Sequence, residues 1–214
     1  MIKLQLALDT LDGDQAMHLA AQAAPYVDII EAGTPLIKSV GIGIVTRLRA
    51  AHPDKLILAD LKTSDVGAYE AGMGFRAGAD IVTTQGITTM ATIAEVQREA
   101  DAWQRRAEVD MTGVREVVSR AIDVKRVGVS LVLYHRSIDE EVTQSAAWDD
   151  AACNTVRELC NLGIDISIAG GVNAKILSRL RGLPLYGIVV GRGITAQPDP
   201  GAASAEISHM LSTF

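Results

Sequence analysis

What most constrains this chain is an alternation. Eight short apolar runs are each followed by a longer stretch of mixed polarity. The runs are 4–9 (LQLALD), 27–31 (VDIIE), 56–60 (LILAD), 80–84 (DIVTT), 107–111 (AEVDM), 130–135 (SLVLYH), 165–170 (DISIAG) and 186–191 (YGIVVG). Most are rich in Ile, Val and Leu and barely alternate, as strands do when a parallel sheet is covered on both faces. Between them, apolar residues at helical spacing predict helices over 13–24, 67–77, 90–102, 114–127, 148–161 and 200–212. Asp12 or Asp14 can cap the first of these, and Thr88 or Thr89 the one over 90–102. Pro200 suits a first helical turn, and Gly163 and Gly182 suit helix C-termini.

Strands alternating with helices predict an α/β fold. The first strand ends LALDT without a glycine-rich loop, which disfavours an open dinucleotide-binding sheet. A closed (β/α)8 TIM barrel is expected, spanning 1–214 as a single domain. Its 214 residues, 48% of them hydrophobic, reach the lower edge of barrel length and are unlike a disordered chain. The net charge is −6 with no cluster of Lys or Arg, so no nucleic-acid partner is expected. No run of about 18 apolar residues is present, so no membrane association is expected. MIKLQLALD lacks the features of a signal peptide. Cys153 and Cys160 share a helix face but lie roughly 10 Å apart along the axis, too far for a disulfide. They read as buried thiols in a reducing cytoplasm.

In a barrel the C-terminal ends of the strands converge. Here those ends carry Asp9, Glu31, Asp60, Asp110 and His135. Any one of the acids could be a helix cap. Gathered at one spot they would repel one another unless a lysine or a divalent cation offset them, and oxygen ligands favour Mg²⁺. In Asp60-Leu61-Lys62-Thr63-Ser64-Asp65, Asp60 and Lys62 point to the same side of an extended strand. A lysine between acids stays protonated and can stabilise a developing anion. The bland alternative is a surface ion pair. Gly170-Gly171 after strand seven and Gly191-Arg192-Gly193 after strand eight stand where barrels frequently bind phosphate. Glycines let backbone amides approach the anion, Arg192 adds a guanidinium, and a helix opens at Asn173. His135, closing strand six, could move protons near neutral pH. His18, His52 and His209 lack such a setting. The patternless stretch 136–147 reads either as an active-site lid or as a plain connection.

These motifs resemble the orotidine 5′-phosphate decarboxylase suprafamily, whose Asp-x-Lys-x-x-Asp signature matches Asp60, Lys62 and Asp65. The blocks KLQLALD, VDIIEAGTPLIK, HPDKLILADLKTSDVG, AGADIVTTQG, VDMTG, IAGGV and GRGI are similar to the branch containing 3-hexulose-6-phosphate synthase and 3-keto-L-gulonate-6-phosphate decarboxylase. The resemblance implies a homodimer with shared active sites, Asp65 reaching the partner's site. It implies Mg²⁺ on Glu31 and Asp60, with Asp9 and Lys62 on substrate oxygens. Gly170, Gly171, Gly191 and Arg192 would hold a phosphate, and His135 and Asp110 would serve proton transfer and positioning. Asp110, Ile138 and Ala169 stand where the decarboxylase typically has Glu, Arg and Thr, which leans toward the synthase, a magnesium-dependent lyase. Tyr134-His135-Arg136-Ser137 leans toward the decarboxylase. Thr63-Ser64-Asp65-Val66 departs from the usual Thr-Met-Asp-Ala. A different sugar phosphate, or a silent phosphometabolite sensor on the same barrel, are the remaining readings.

Overall fold

The computed structural model describes residues 2–137, 139, 148–172, 178 and 181–213. The eight strands are β1 (Lys3–Leu8), β2 (Ile29–Ala32), β3 (Leu56–Thr63), β4 (Ile81–Gln85), β5 (Arg106–Asp110), β6 (Leu131–His135), β7 (Asp165–Ala169) and β8 (Gly187–Val190). They pair in parallel in chain order, and β1 closes on β8. The expected TIM barrel is therefore found, and each strand overlaps the apolar run that predicts it. The absence of alternation has a direct cause. Side chains such as Ile30, Ile57, Val82, Val109 and Ile166 point outward and are buried under helices. Each such burial contributes about 1.5–3 kcal/mol.

Inward-facing Ile29, Leu58, Ile81 and Leu131 pack into a plug, with Leu56 and Tyr186 against it. This closes the N-terminal end of the barrel and leaves the other end open. At the closed end Asp80 ties three elements together. It pairs with Arg49 and Arg105 and accepts the Ile57 N–H at 2.8 Å. Tyr186 lies between two cations, Lys3 Nζ at 4.7 Å and the Arg106 guanidinium at 4.8 Å from its ring centre.

Helix α1 (Gly13–Ala23) is capped by Asp12, which accepts from the Asp14 and Gln15 amides, so Asp14 lies inside the helix. Between β2 and β3 lie α2 (Thr34–Val40) and α3 (Gly43–Ala51), which the periodicity did not single out. Seven residues are too few to show a helical period, and Gly41, at φ 81°, separates the two. Next come α4 (Gly67–Arg76) and α5 (Met90–Ala102), the latter capped by Thr89. Helix α6 (Val117–Arg126) starts three residues later than expected, because Gly113 at φ 76° and the Val114 N–H bond to Met111 O form a turn first. Then follow α7 (Asp150–Cys160), the short α8 (Arg192–Thr195) and α9 (Pro200–Ser212). Both cysteines are free. Cys153 is buried, whereas Cys160, in the last turn of α7, is only half-buried, which corrects that expectation. Ile138, the helix expected from Asn173 and most of the 136–147 stretch lie outside the described residues. Among those described, no helix is long and apolar enough to cross a membrane.

Candidate active site

A cavity of about 660 Å³ opens at the C-terminal end of the barrel. Asp9, Glu31, Asp60 and Lys62 line it from β1 to β3 and the segments just beyond them. His135 lines it from β6, and Gly170, Gly171, Gly191 and Arg192 from the ends of β7 and β8. Nine of the eleven residues singled out from the sequence therefore share one hollow. The exceptions are Asp110, which lies behind the wall, and Asp65. Asp65 is exposed beyond β3 and accepts the Val66 N–H, so it takes no part in its own chain's pocket.

The end of β3 departs from a plain strand. Its pairing with β4 slips between Ala59 and Thr63, and Lys62 adopts φ 45°, a left-handed conformation that side chains disfavour. Thr83 holds it there. The Lys62 N–H donates to Thr83 Oγ1 at 2.9 Å, and that hydroxyl donates to Asp60 Oδ1 at 2.6 Å. The ammonium then lies 3.2 Å from Asp60 Oδ2 and 2.5 Å from Asp110 Oδ2. Burial opposes its charge, but the two carboxylates outweigh burial and raise its pKa above the ordinary lysine value. Lys62 is thus a fixed cation in the cavity wall, placed to stabilise negative charge.

Asp110 is 1% exposed and uses both oxygens. One takes the Lys62 ammonium and faces His135 Nδ1 at 3.0 Å; the other accepts the Thr112 N–H and hydroxyl at 2.8 and 2.6 Å. Burial would raise its pKa. The hydrogen bond and charge of His135, and the charge of Lys62, reverse this and hold it well below the carboxylate range. An ionised carboxylate only accepts, so Nδ1 carries a proton, and Nε2 is the ring nitrogen left to exchange a proton with the cavity. Asp110 therefore orients two groups that face the cavity instead of facing it itself.

Glu31 is buried and accepts Gln5 Nε2 at 2.7 Å. Burial first, then repulsion from Asp60 and Asp9, pushes its pKa well above the ordinary value. Asp9 is raised by burial and by Asp60. Asp60 also accepts the Thr34 hydroxyl at 2.7 Å. Gly33 has no room for a Cβ, which would run into the Asp9 carboxylate and the Leu8 carbonyl. Crowded, mutually repelling acids of this kind suit a divalent cation. Among the described residues, no group of three or more His, Cys, Asp or Glu could hold a metal by itself. Glu31 and Asp60 on neighbouring strands nevertheless fit Mg²⁺, which commonly takes one or two carboxylates and completes its shell with water and substrate oxygens.

Gly170 turns at φ 96°, against the Arg136 carbonyl, where a Cβ would not fit. Its own carbonyl accepts Trp148 Nε1 at 2.9 Å, and buried Trp148 meets Tyr134 edge-on at 5.9 Å. Trp148, Thr34 and Thr83 are supporting residues the sequence did not mark. Gln5 and Glu108, polar residues inside apolar runs, carried a signal that passed unused. Both line the cavity, and Glu108 is 1% exposed.

The chain matches, over residues 2–207, a family described as Orotidine 5′-phosphate decarboxylase / HUMPS family. It is 39% identical over 210 residues to the 3-hexulose-6-phosphate synthase of Methylomonas aminofaciens, covering 98% of this chain and 99% of that protein. It is 30% identical over 209 residues to a 3-keto-L-gulonate-6-phosphate decarboxylase of Escherichia coli, covering 98% and 96%. A crystal structure of 3-hexulose-6-phosphate synthase superposes with TM-score 0.92 at 35% identity, covering 98% of this chain and 99% of that one. A ligand complex of KGPDC from Streptococcus mutans superposes with TM-score 0.95 at 28% identity, covering 99% and 98%.

Proposed function

The chain belongs to the Orotidine 5′-phosphate decarboxylase / HUMPS family, and we propose that within it the protein is a 3-hexulose-6-phosphate synthase, adding formaldehyde to ribulose 5-phosphate through a 1,2-enediolate. The observation that carries this reading is Lys62, fixed between Asp60 and Asp110 and facing the same cavity as Glu31. Among the curated relatives, those named as synthases match at 31–39% identity and those named as decarboxylases at 30%. The chain is an enzyme of the lyase class on either name.

In this mechanism the glycine turns at Gly170, Gly171 and Gly191, with Arg192, hold the phosphate. Asp9 positions a substrate hydroxyl. His135, its Nδ1 fixed by Asp110, takes the C1 proton on Nε2. Lys62 sets a permanent positive charge against the oxygen that becomes negative. Glu31 and Asp60 would hold Mg²⁺, which when bound supplies further positive charge to developing oxyanions. Asp65, exposed beside the apolar Val66 and Tyr69 (57% and 69% exposed), would serve a second copy's pocket in a homodimer. The two free cysteines accord with a cytoplasmic setting.

The test is formaldehyde consumption with ribulose 5-phosphate and Mg²⁺, run beside release of CO₂ from 3-keto-L-gulonate 6-phosphate. The synthase reading expects the larger kcat/KM for the first, lost with EDTA and in Lys62→Ala. A larger kcat/KM for the second reassigns the enzyme as the decarboxylase. Tight ribulose 5-phosphate binding with turnover of neither would make it a sensor.

A further inference from the structure

We infer that Glu108 is the acid that delivers a proton to the formaldehyde oxygen as the carbon–carbon bond forms, an assignment that rests on the synthase reading above. Glu108 stands on β5 two residues before Asp110, and so one inward step deeper in the barrel. It forms part of the cavity wall. Neither of its carboxyl oxygens closes a hydrogen bond among the described residues; the Ser167 hydroxyl from β7 faces the carboxyl without closing one. The Glu108 carboxyl, which lines the cavity, is thus left to a ligand. An unpaired buried carboxyl normally costs a fold free energy, which makes its presence informative.

The surroundings keep a proton on it. Asp110 faces it from its own strand, Asp60 and Lys62 act from β3, and Ser167 from β7; β4 and β6 place Thr83 and Leu131 beside it. Burial dominates, Asp110 and Asp60 add to it, and Ser167 and Lys62 offset part, so the carboxyl is pushed up to about 7. An acid so poised donates near neutral pH. The other groups are committed. Lys62 is held charged by two carboxylates, Asp110 carries no proton, and His135 takes the one from C1.

The step balances. C1 of the enediolate attacks the formaldehyde carbon, the C=O electron pair moves onto oxygen, and the Glu108 O–H proton joins that oxygen to give a hydroxymethyl group. Glu108, now a carboxylate, is reprotonated by the proton His135 took from C1. Formaldehyde, one carbon and one oxygen, is small enough to occupy the deep end while the phosphorylated chain lies toward the mouth.

The experiment separates the two half-reactions. Exchange of the C1 hydrogen of ribulose 5-phosphate in D₂O, followed by NMR without formaldehyde, reads enediolate formation. Formaldehyde consumption reads addition. In Glu108→Gln, which keeps the side-chain shape, exchange stays within about tenfold while addition falls by about 10²–10⁴-fold, the range of a lost general acid. In the unmodified enzyme, addition falls on the alkaline side as Glu108 loses its proton, and exchange shows no such limb. The assignment is overturned if Glu108→Gln retains addition, if it loses both half-reactions alike, or if the limb is missing from the unmodified enzyme. No exchange in the unmodified enzyme overturns the enediolate reading itself, and this one with it.

Discussion

Replacing Asp110 with Asn tests the arrangement most directly. The change keeps the side chain's size and removes its charge. One oxygen can still accept from Thr112, but the amide NH₂ then faces two donors, the Lys62 ammonium and His135 Nδ1. Asp110 and Lys62 are 1% and 25% exposed, so the lost contact lies in a poorly solvated place. Breaking a buried pair on one side costs about 3–5 kcal/mol. Asp60 remains 3.2 Å from the ammonium, which favours the lower figure. For a chain of this size about 3 kcal/mol lowers Tm by about 6–12 °C. The lowered pKa of Asp110 means that its contribution is present above the ordinary carboxylate range and is lost only in strong acid. The deficit should therefore be present at about pH 6 and at about pH 8. C1 exchange should slow by about 10²-fold or more, because His135 and Lys62 both lose their orientation. KM should change little, since Asp110 does not line the cavity. Calorimetry and NMR exchange give both numbers. An Asp110→Asn protein with unshifted Tm and exchange within about twofold would refute the view that this carboxylate organises the site.

Other substitutions follow from the same geometry. Glu108→Gln should stabilise the metal-free protein at about pH 8 and do so far less near pH 4.5. A carboxyl raised from 4.5 to about 7 costs on the order of 3 kcal/mol once ionised, with stability lost as pH rises through that window. Denaturant unfolding at the two pH values would show it, and a pH-independent difference would contradict the cause given. Gly170→Ala places a Cβ against the Arg136 carbonyl at φ 96° and should cost a few kcal/mol, together with most affinity for the sugar phosphate, measurable by calorimetric titration. Trp148→Phe loses the bond to Gly170 O and should cost about 1 kcal/mol of stability, seen in thermal melts.

The barrel was legible because its strands are buried on both faces, which writes unbroken apolar runs into the sequence. The acids at the strand ends were legible as a group because parallel strands bring those ends together. Helices α2 and α3 were not, since neither is long enough to display its period. By sequence alone Asp110 is one more member of the carboxylate layer. Its contacts with Lys62 and His135, residues distant in the chain, show that it backs Lys62 instead of lining the cavity. Glu108 was visible in the run AEVDM, but an isolated acid in a strand does not say whether it has a partner. Trp148 supports Gly170 from 22 residues away in the chain, a link that no local pattern contains.

Residue 62 carries its charge on a backbone torsion that an L side chain adopts at a cost of about 1–2 kcal/mol. Stability and turnover therefore pull this position toward different amino acids. A library randomised there and sorted for resistance to heat should enrich Gly and Asn. The same library sorted for product should return Lys alone, and the gap between the two pools would mark how much folding free energy is given up for that one ammonium.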